Sequence, residues 1–155
     1  MLSTGSKIPD ATLFDENGAL LRLTDYAGSY VVLYVYPKDD TPGCTAEACS
    51  FRDQSSAITA YKAVIIGISP DSPKSHKKFK EKYHLNFTLA SDEEKTVITQ
   101  LRAWGEKTSY GKTTVGVIRS TFLFGPDGKL IKVWPKVSPA THGEEIAAEL
   151  ERIAK

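Results

Sequence analysis

Residues 30–36, Tyr-Val-Val-Leu-Tyr-Val-Tyr, form an unbroken β-branched and aromatic run that Pro37 ends. With no polar position inside it, the run predicts a strand buried on both faces. Residues 63–69, Ala-Val-Ile-Ile-Gly-Ile-Ser, repeat that pattern and predict a second buried strand. Nearer the start, extended segments at 11–14 and 20–23 flank Glu16-Asn17-Gly18. An Asn-Gly pair between two such segments predicts a hairpin.

Between and beyond the strands the spacing turns helical. Residues 43–61 carry Ala, Glu, Arg and Gln with apolar residues near helical intervals, and read as one helix. Residues 73–83 read as a lysine-rich helix, with Ser72 as N-cap and Pro73 at the first helical position. A short strand at 86–90 and a helix over about 93–101 follow. Residues 120–124 and 129–134 flank Gly125-Pro126-Asp127-Gly128 and predict a hairpin. Residues 139–155 close the chain as an amphipathic helix with Ile146, Leu150 and Ile153 on one face.

This order predicts an α/β sandwich. The strands after residue 30 are expected in one sheet, the first two parallel through a right-handed crossover. The order is that of a thioredoxin-like sandwich with an N-terminal β-hairpin extension. No repeat, low-complexity tract or linker interrupts residues 1–155, so a single domain is expected.

Composition removes several function classes. Twenty basic and nineteen acidic side chains leave a net charge of +1, which recruits neither nucleic acid nor an anionic membrane. The longest apolar runs, 30–36 and 63–68, are far short of a membrane span, and the first ten residues hold no secretory apolar stretch. A soluble cytoplasmic protein is the expectation. No phosphate-binding Gly-rich motif occurs, and no cofactor is expected.

The chemistry concentrates at the two cysteines, Cys44 and Cys49, in Thr41-Pro-Gly-Cys44-Thr-Ala-Glu-Ala-Cys49. In a reducing compartment such a pair is more often catalytic or metal-binding than structural. Cys44 falls in the first helical turn, where free N–H groups and the positive dipole end favour an anion. Gly43, Cys44 and Thr45 each bring an N–H, and Thr41 brings a hydroxyl three residues before the sulfur. On an intact helix, residues five apart lie roughly 8–9 Å apart between Cα atoms. A disulfide needs about 4.4–6.8 Å. The two thiols therefore join only if the helix unwinds between them.

Residues 37–53, Pro-Lys-Asp-Asp-Thr-Pro-Gly-Cys-Thr-Ala-Glu-Ala-Cys-Ser-Phe-Arg-Asp, resemble the peroxiredoxin active-site pattern Pro-x-x-x-Thr-x-x-Cys. The resemblance is to the Q subgroup, the bacterioferritin comigratory protein type, in which a second cysteine follows five residues later. It extends over almost the whole chain, through segments at 67–72, 103–107, 119–123 and 126–128 in the same order. It implies a peroxiredoxin fold and a thiol peroxidase acting on hydrogen peroxide and organic hydroperoxides. Cys44 corresponds to the peroxidatic cysteine, which becomes a sulfenic acid, and Cys49 to the resolving cysteine. Thr41 corresponds to the hydroxyl that binds peroxide and thiolate, and Pro37 to the proline that shields the sulfenate. Arg119 corresponds to the arginine that favours the thiolate. The resemblance also implies an intrasubunit disulfide, a thioredoxin or glutaredoxin-like reductant, and a monomer or weak dimer.

Other residues carry blander readings. Arg52 is a competing cation, or pairs with Asp53 or Glu47; Glu47 orients an arginine or is a solvated carboxylate. His76, His84 and His142 are expected at the surface, Asp39 and Asp40 in turn chemistry. Trp104 and Trp134 are expected in packing or at a rim, and the lysines of 74–82 on a solvated helix face. Two rival functions remain. A disulfide oxidoreductase is disfavoured because that chemistry uses Cys-x-x-Cys. A copper or zinc carrier lacks nearby histidine or methionine ligands.

Overall fold

The protein is described here by a computed structural model that covers residues 1–109 and 111–154. In chain order come β1 (Thr12–Phe14), β2 (Leu20–Arg22), a 3-10 turn, β3 (Tyr30–Val35), α1 (Pro42–Asp53), α2 (Ser55–Thr59) and β4 (Ala63–Ser69). Then follow α3 (Pro73–Tyr83), β5 (Thr88–Ser91), α4 (Thr96–Gln100), β6 (Trp104–Ser109), β7 (Lys112–Val117), β8 (Ser120–Phe124), β9 (Leu130–Trp134) and α5 (His142–Ile153).

Seven strands form one sheet in the order β2-β1-β5-β4-β3-β8-β9. The pair β3–β4 is parallel, with Tyr30 opposite Ala63 and Val35 opposite Ile68; β8 joins β3 antiparallel on its other side. Strand period two then divides the core. Val31, Leu33 and Val35 face one layer with Ile66, Ile68, Val97 of α4 and Phe122. Val32, Tyr34 and Tyr36 face the other, with Ala48 and Phe51 of α1, Phe79 of α3, and Ile146 and Leu150 of α5. Both faces of β3 are thus covered, as its continuous apolar run requires.

The N-terminal hairpin extends the main sheet, because β1 pairs with β5 at Phe14 and Ser91. Three expectations need correction. The helix expected over 43–61 is two helices, divided at Gln54, whose ψ of 5° leaves the helical range. That turn brings Ile58 into the same buried layer as Phe51. The helix expected from 93 begins only at Thr96, because Asp92 accepts from the backbone N–H groups of Thr96 and Ile98, at 3.0 and 2.8 Å. Finally, β6 and β7 make their own two-stranded ribbon outside the main sheet. Residues 112–115 of that ribbon are exposed, so no inward-outward alternation marks it in the sequence. Lys155, the last residue of the helix expected over 139–155, lies outside the described residues.

Candidate active site

The site forms where β3 gives way to α1. Thr41 is the residue before the helix, with extended φ and ψ of −99° and 155°, and Pro42 holds the first helical position. The first intrahelical bond runs from the Thr45 N–H to the Thr41 carbonyl, at 2.8 Å. Thr45 therefore spends the N–H that the sequence reading assigned to the sulfur. Gly43 and Cys44 itself keep theirs at the helix end.

Cys44 is buried, about 1% exposed, and its partner comes from another part of the chain. Arg119, between β7 and β8, donates from Nη2 to the Cys44 Sγ at 3.2 Å and from Nη1 to Glu47 Oε1 at 2.6 Å. One planar guanidinium thus spans sulfur and carboxylate, a geometry that a lysine cannot reproduce. Gly43 makes room for it: a Cβ there would sit 3.1 Å from Arg119 Nη2. Burial works against the charge on Arg119, yet Glu47 and Cys44 together hold it above its ordinary range.

Glu47 lies one helical turn after Cys44, so both side chains share one face of α1. It is fully buried, which decides between its two readings in favour of orienting the arginine. Burial pushes its carboxyl up to about 7, with Arg119 pulling the other way. Tyr34 lies on the same side of the sheet, its ring stacked on Phe51 at 4.6 Å. Burial, followed by Glu47, Asp39 and Cys44, raises its phenol well above the ordinary value. A hydrophobic floor with one fixed cation is the result.

The remaining sequence candidates are placed as follows. The Thr41 hydroxyl donates to the Lys38 carbonyl at 2.8 Å, within its own loop. Pro37 is half-buried, two residues beyond the end of β3. Cys49 is half-buried and its thiol is free, like that of Cys44; α1 runs unbroken through both. Arg52 is drawn away from the sulfur, bonding Asp53 at 3.0 Å and the Tyr83 carbonyl at 2.7 Å. Trp134 is buried edge-on against His142, whereas Trp104 stands at the surface beneath Lys95.

Two histidines were misjudged. His76 and His142 are fully buried, while His84 is exposed as expected. His142 bonds Thr121 at 2.7 Å and Glu145 at 2.8 Å, and burial lowers its pKa. The signal for His76 was present: it precedes Phe79 and Tyr83 by three and seven residues, on the apolar stripe of α3. For Asp39, buried just before the helix, no such periodicity exists.

The AhpC/TSA family model matches residues 4–133. The chain belongs to that family of peroxiredoxins. Peroxiredoxin Bcp of Bacillus subtilis is 45% identical over 154 residues, which cover 99% of this chain and 98% of that protein. A putative peroxiredoxin bcp of Coxiella burnetii is 46% identical, covering 96% and 99%. Among solved structures, the Xanthomonas campestris bacterioferritin comigratory protein, studied for its alkyl peroxide reduction activity, superposes with a TM-score of 0.90. It is 36% identical and the match covers 99% of this chain and 100% of that one. A Cys-to-Ser mutant of Xylella fastidiosa PrxQ gives a TM-score of 0.93 at 31% identity, over 100% and 99%. The thioredoxin-like peroxiredoxin fold expected for this peroxiredoxin is therefore the one it has. No helix among its described residues is long and apolar enough to cross a membrane.

Proposed function

We propose that the chain is a thiol peroxidase whose cycle runs through Cys44 and Cys49. The observation that carries this reading is the 3.2 Å contact between Arg119 Nη2 and the Cys44 sulfur, with Glu47 holding the other arm of the guanidinium. A fixed cation beside the nucleophile stabilises both the thiolate and the negative oxygen that develops as the O–O bond breaks. The Cys44 thiolate attacks the terminal oxygen of a hydroperoxide. An S–O bond forms, the O–O bond breaks, and the departing alkoxide or hydroxide takes up a proton as alcohol or water. Cys44 is left as sulfenic acid.

Cys49 then attacks that sulfur, releasing water and closing a disulfide within the chain. Both cysteines lie on an unbroken α1, so the step requires its N-terminal turns to unwind. A dithiol protein of thioredoxin or glutaredoxin type, in a reducing cytoplasm, reopens the bond by thiol exchange. Thr41 and Pro37, beside the sulfur's loop, bind and cover the peroxide end. Hydrogen peroxide and organic hydroperoxides are the substrates, and the working unit is a monomer or weak dimer. A metal-carrier role is opposed by the same contact, because a guanidinium at the sulfur repels a second cation.

The test is peroxide-dependent oxidation of reduced thioredoxin by the intact chain and by Cys44→Ser. Turnover is expected in the first and absent in the second. Full turnover in Cys44→Ser would falsify the assignment.

A further inference from the structure

Residues 36–41 link the central strand β3 to α1, and the site depends on where this segment holds Thr41 and Pro37. Most of its polar side chains grip α3. Asp39 is buried: its Oδ1 accepts from the Tyr36 hydroxyl at 2.6 Å, and its Oδ2 lies 2.7 Å from both Ser75 Oγ and His76 Nδ1. The Asp39 N–H donates to Asp71 Oδ2 at 2.9 Å, and Asp71 in turn accepts from Ser69 Oγ at 2.6 Å. Asp40, held at a φ of +57°, accepts from Lys82 Nζ at 2.7 Å and from the Tyr83 hydroxyl at 2.6 Å. Two consecutive residues of one loop are therefore bound to opposite ends of α3.

His76 fixes the inner end. Its Nε2 lies 3.0 Å from the Ala90 carbonyl, which only accepts, so Nε2 carries a hydrogen. The contact between Nδ1 and Asp39 Oδ2 therefore needs a second proton between those atoms. With both ring nitrogens engaged, the imidazole ties the catalytic loop to β5 of the sheet as well as to α3. The clamp reaches the site through the main chain: Asp39 and Asp40 fix the peptide after Lys38, whose carbonyl holds the Thr41 hydroxyl at 2.8 Å.

We infer that His76, Asp39 and Asp40 are positioning residues of the peroxide step. They hold the loop of Pro37 and Thr41 rigid while α1, beginning one residue later, unwinds and rewinds in each cycle. This inference rests on the peroxidase reading above. The clamp confines motion to α1, so the attack on peroxide depends on it and the later closure of the disulfide does not.

The experiment measures two rates by rapid mixing with hydrogen peroxide: loss of the Cys44 thiol and formation of the disulfide. Asparagine places an amide N–H near the position of Nδ1, and glutamine near that of Nε2. His76→Gln, which loses the bond to Asp39, is expected to slow thiol loss at least about tenfold, since misplacement on the scale of 1 Å is enough for that. His76→Asn is expected to stay within about threefold of the native chain by the same argument. Neither substitution slows disulfide closure from sulfenic acid. Because a buried substitution can fail to fold, Lys82→Met with Tyr83→Phe opens the exposed end of the clamp, and slower thiol loss is expected there too. Folded His76→Gln and Lys82→Met/Tyr83→Phe chains that consume peroxide at the native rate overturn the inference. So does a parallel fall of both rates in both His76 variants, which marks mere destabilisation. If the native chain itself leaves peroxide untouched, the peroxidase reading falls and the clamp's role falls with it; a reactive native chain with unaffected variants removes the clamp alone.

Discussion

Glu47 Oε1 and Arg119 Nη1 lie 2.6 Å apart, joining a fully buried carboxylate to a guanidinium that also touches the Cys44 sulfur. The two residues are 72 positions apart in sequence. Their pairing decides which way the cation points.

Arg119→Ala is expected to lower the rate of Cys44 oxidation by about 10²- to 10³-fold, the usual loss when one preorganised donor is removed. Arg119→Lys is not expected to restore it, because one ammonium cannot span sulfur and carboxylate together. Rapid-mixing rates with hydrogen peroxide measure both. A lysine variant at native speed refutes the two-armed role.

Glu47 makes stability fall with rising pH. Its folded value, about 7, lies above the 4.5 of an ordinary glutamate, so between those values the folded chain binds more protons than the unfolded one. The stability this confers is complete below about 4.5 and is lost as pH rises through about 7, a swing on the order of 3 kcal/mol. Glu47→Gln should flatten this part of the curve. Denaturant midpoints measured from pH 4.5 to 7.5 on both chains provide the check, and equal slopes contradict it.

Gly143 opens α5 against α1. Its N–H donates to Ser50 Oγ at 2.8 Å, and a Cβ there would lie 2.4 Å from the Ser50 carbonyl oxygen. That oxygen is backbone and cannot swing aside. Gly143→Ala is expected to destabilise by about 1–3 kcal/mol, as overpacking usually does, with a lower melting temperature. An unchanged melting temperature shows that the two helices are free to separate.

Cys49→Ser is expected to consume one peroxide per Cys44 and then stop, because sulfenic acid forms but finds no second thiol. Oxidation of the native chain should also lower the far-ultraviolet helical signal as α1 unwinds, whereas oxidised Cys49→Ser keeps it. Mass spectrometry gives the pairing and circular dichroism the helix loss. A disulfide closed with no loss of helix contradicts the unwinding.

Much of the fold was legible because continuous apolar runs leave little choice. Residues 30–35 and 63–69 become β3 and β4, paired parallel as expected, and Pro73 to Tyr83 is a helix with the Ser72 hydroxyl capping the Ser75 N–H. The ribbon of β6 and β7 was not legible, since Thr113, Thr114 and Val115 are all exposed and carry no burial pattern. The two cysteines and Thr41 stand out as a local pattern at the helix start, whereas Pro37 and Arg119 enter only through the family resemblance. Glu47 was ambiguous, because a helix carboxylate looks the same in sequence whether solvated or buried. His76 and His142 were misread: their partners, Asp39 and Thr121, stand 37 and 21 residues away.

By itself the sequence determined the local chemistry: a thiol at a helix start, a second thiol five residues on, and the strands that form the central sheet. Those properties follow from short-range sterics and from the period of apolar positions, which neighbouring residues decide. Only the tertiary structure decided that Glu47 is dry, that Arg119 meets Cys44, and that α3 grips the loop before α1. Each of these depends on which distant surfaces pack together and exclude water, and that exclusion gives a charge or a hydrogen bond its strength.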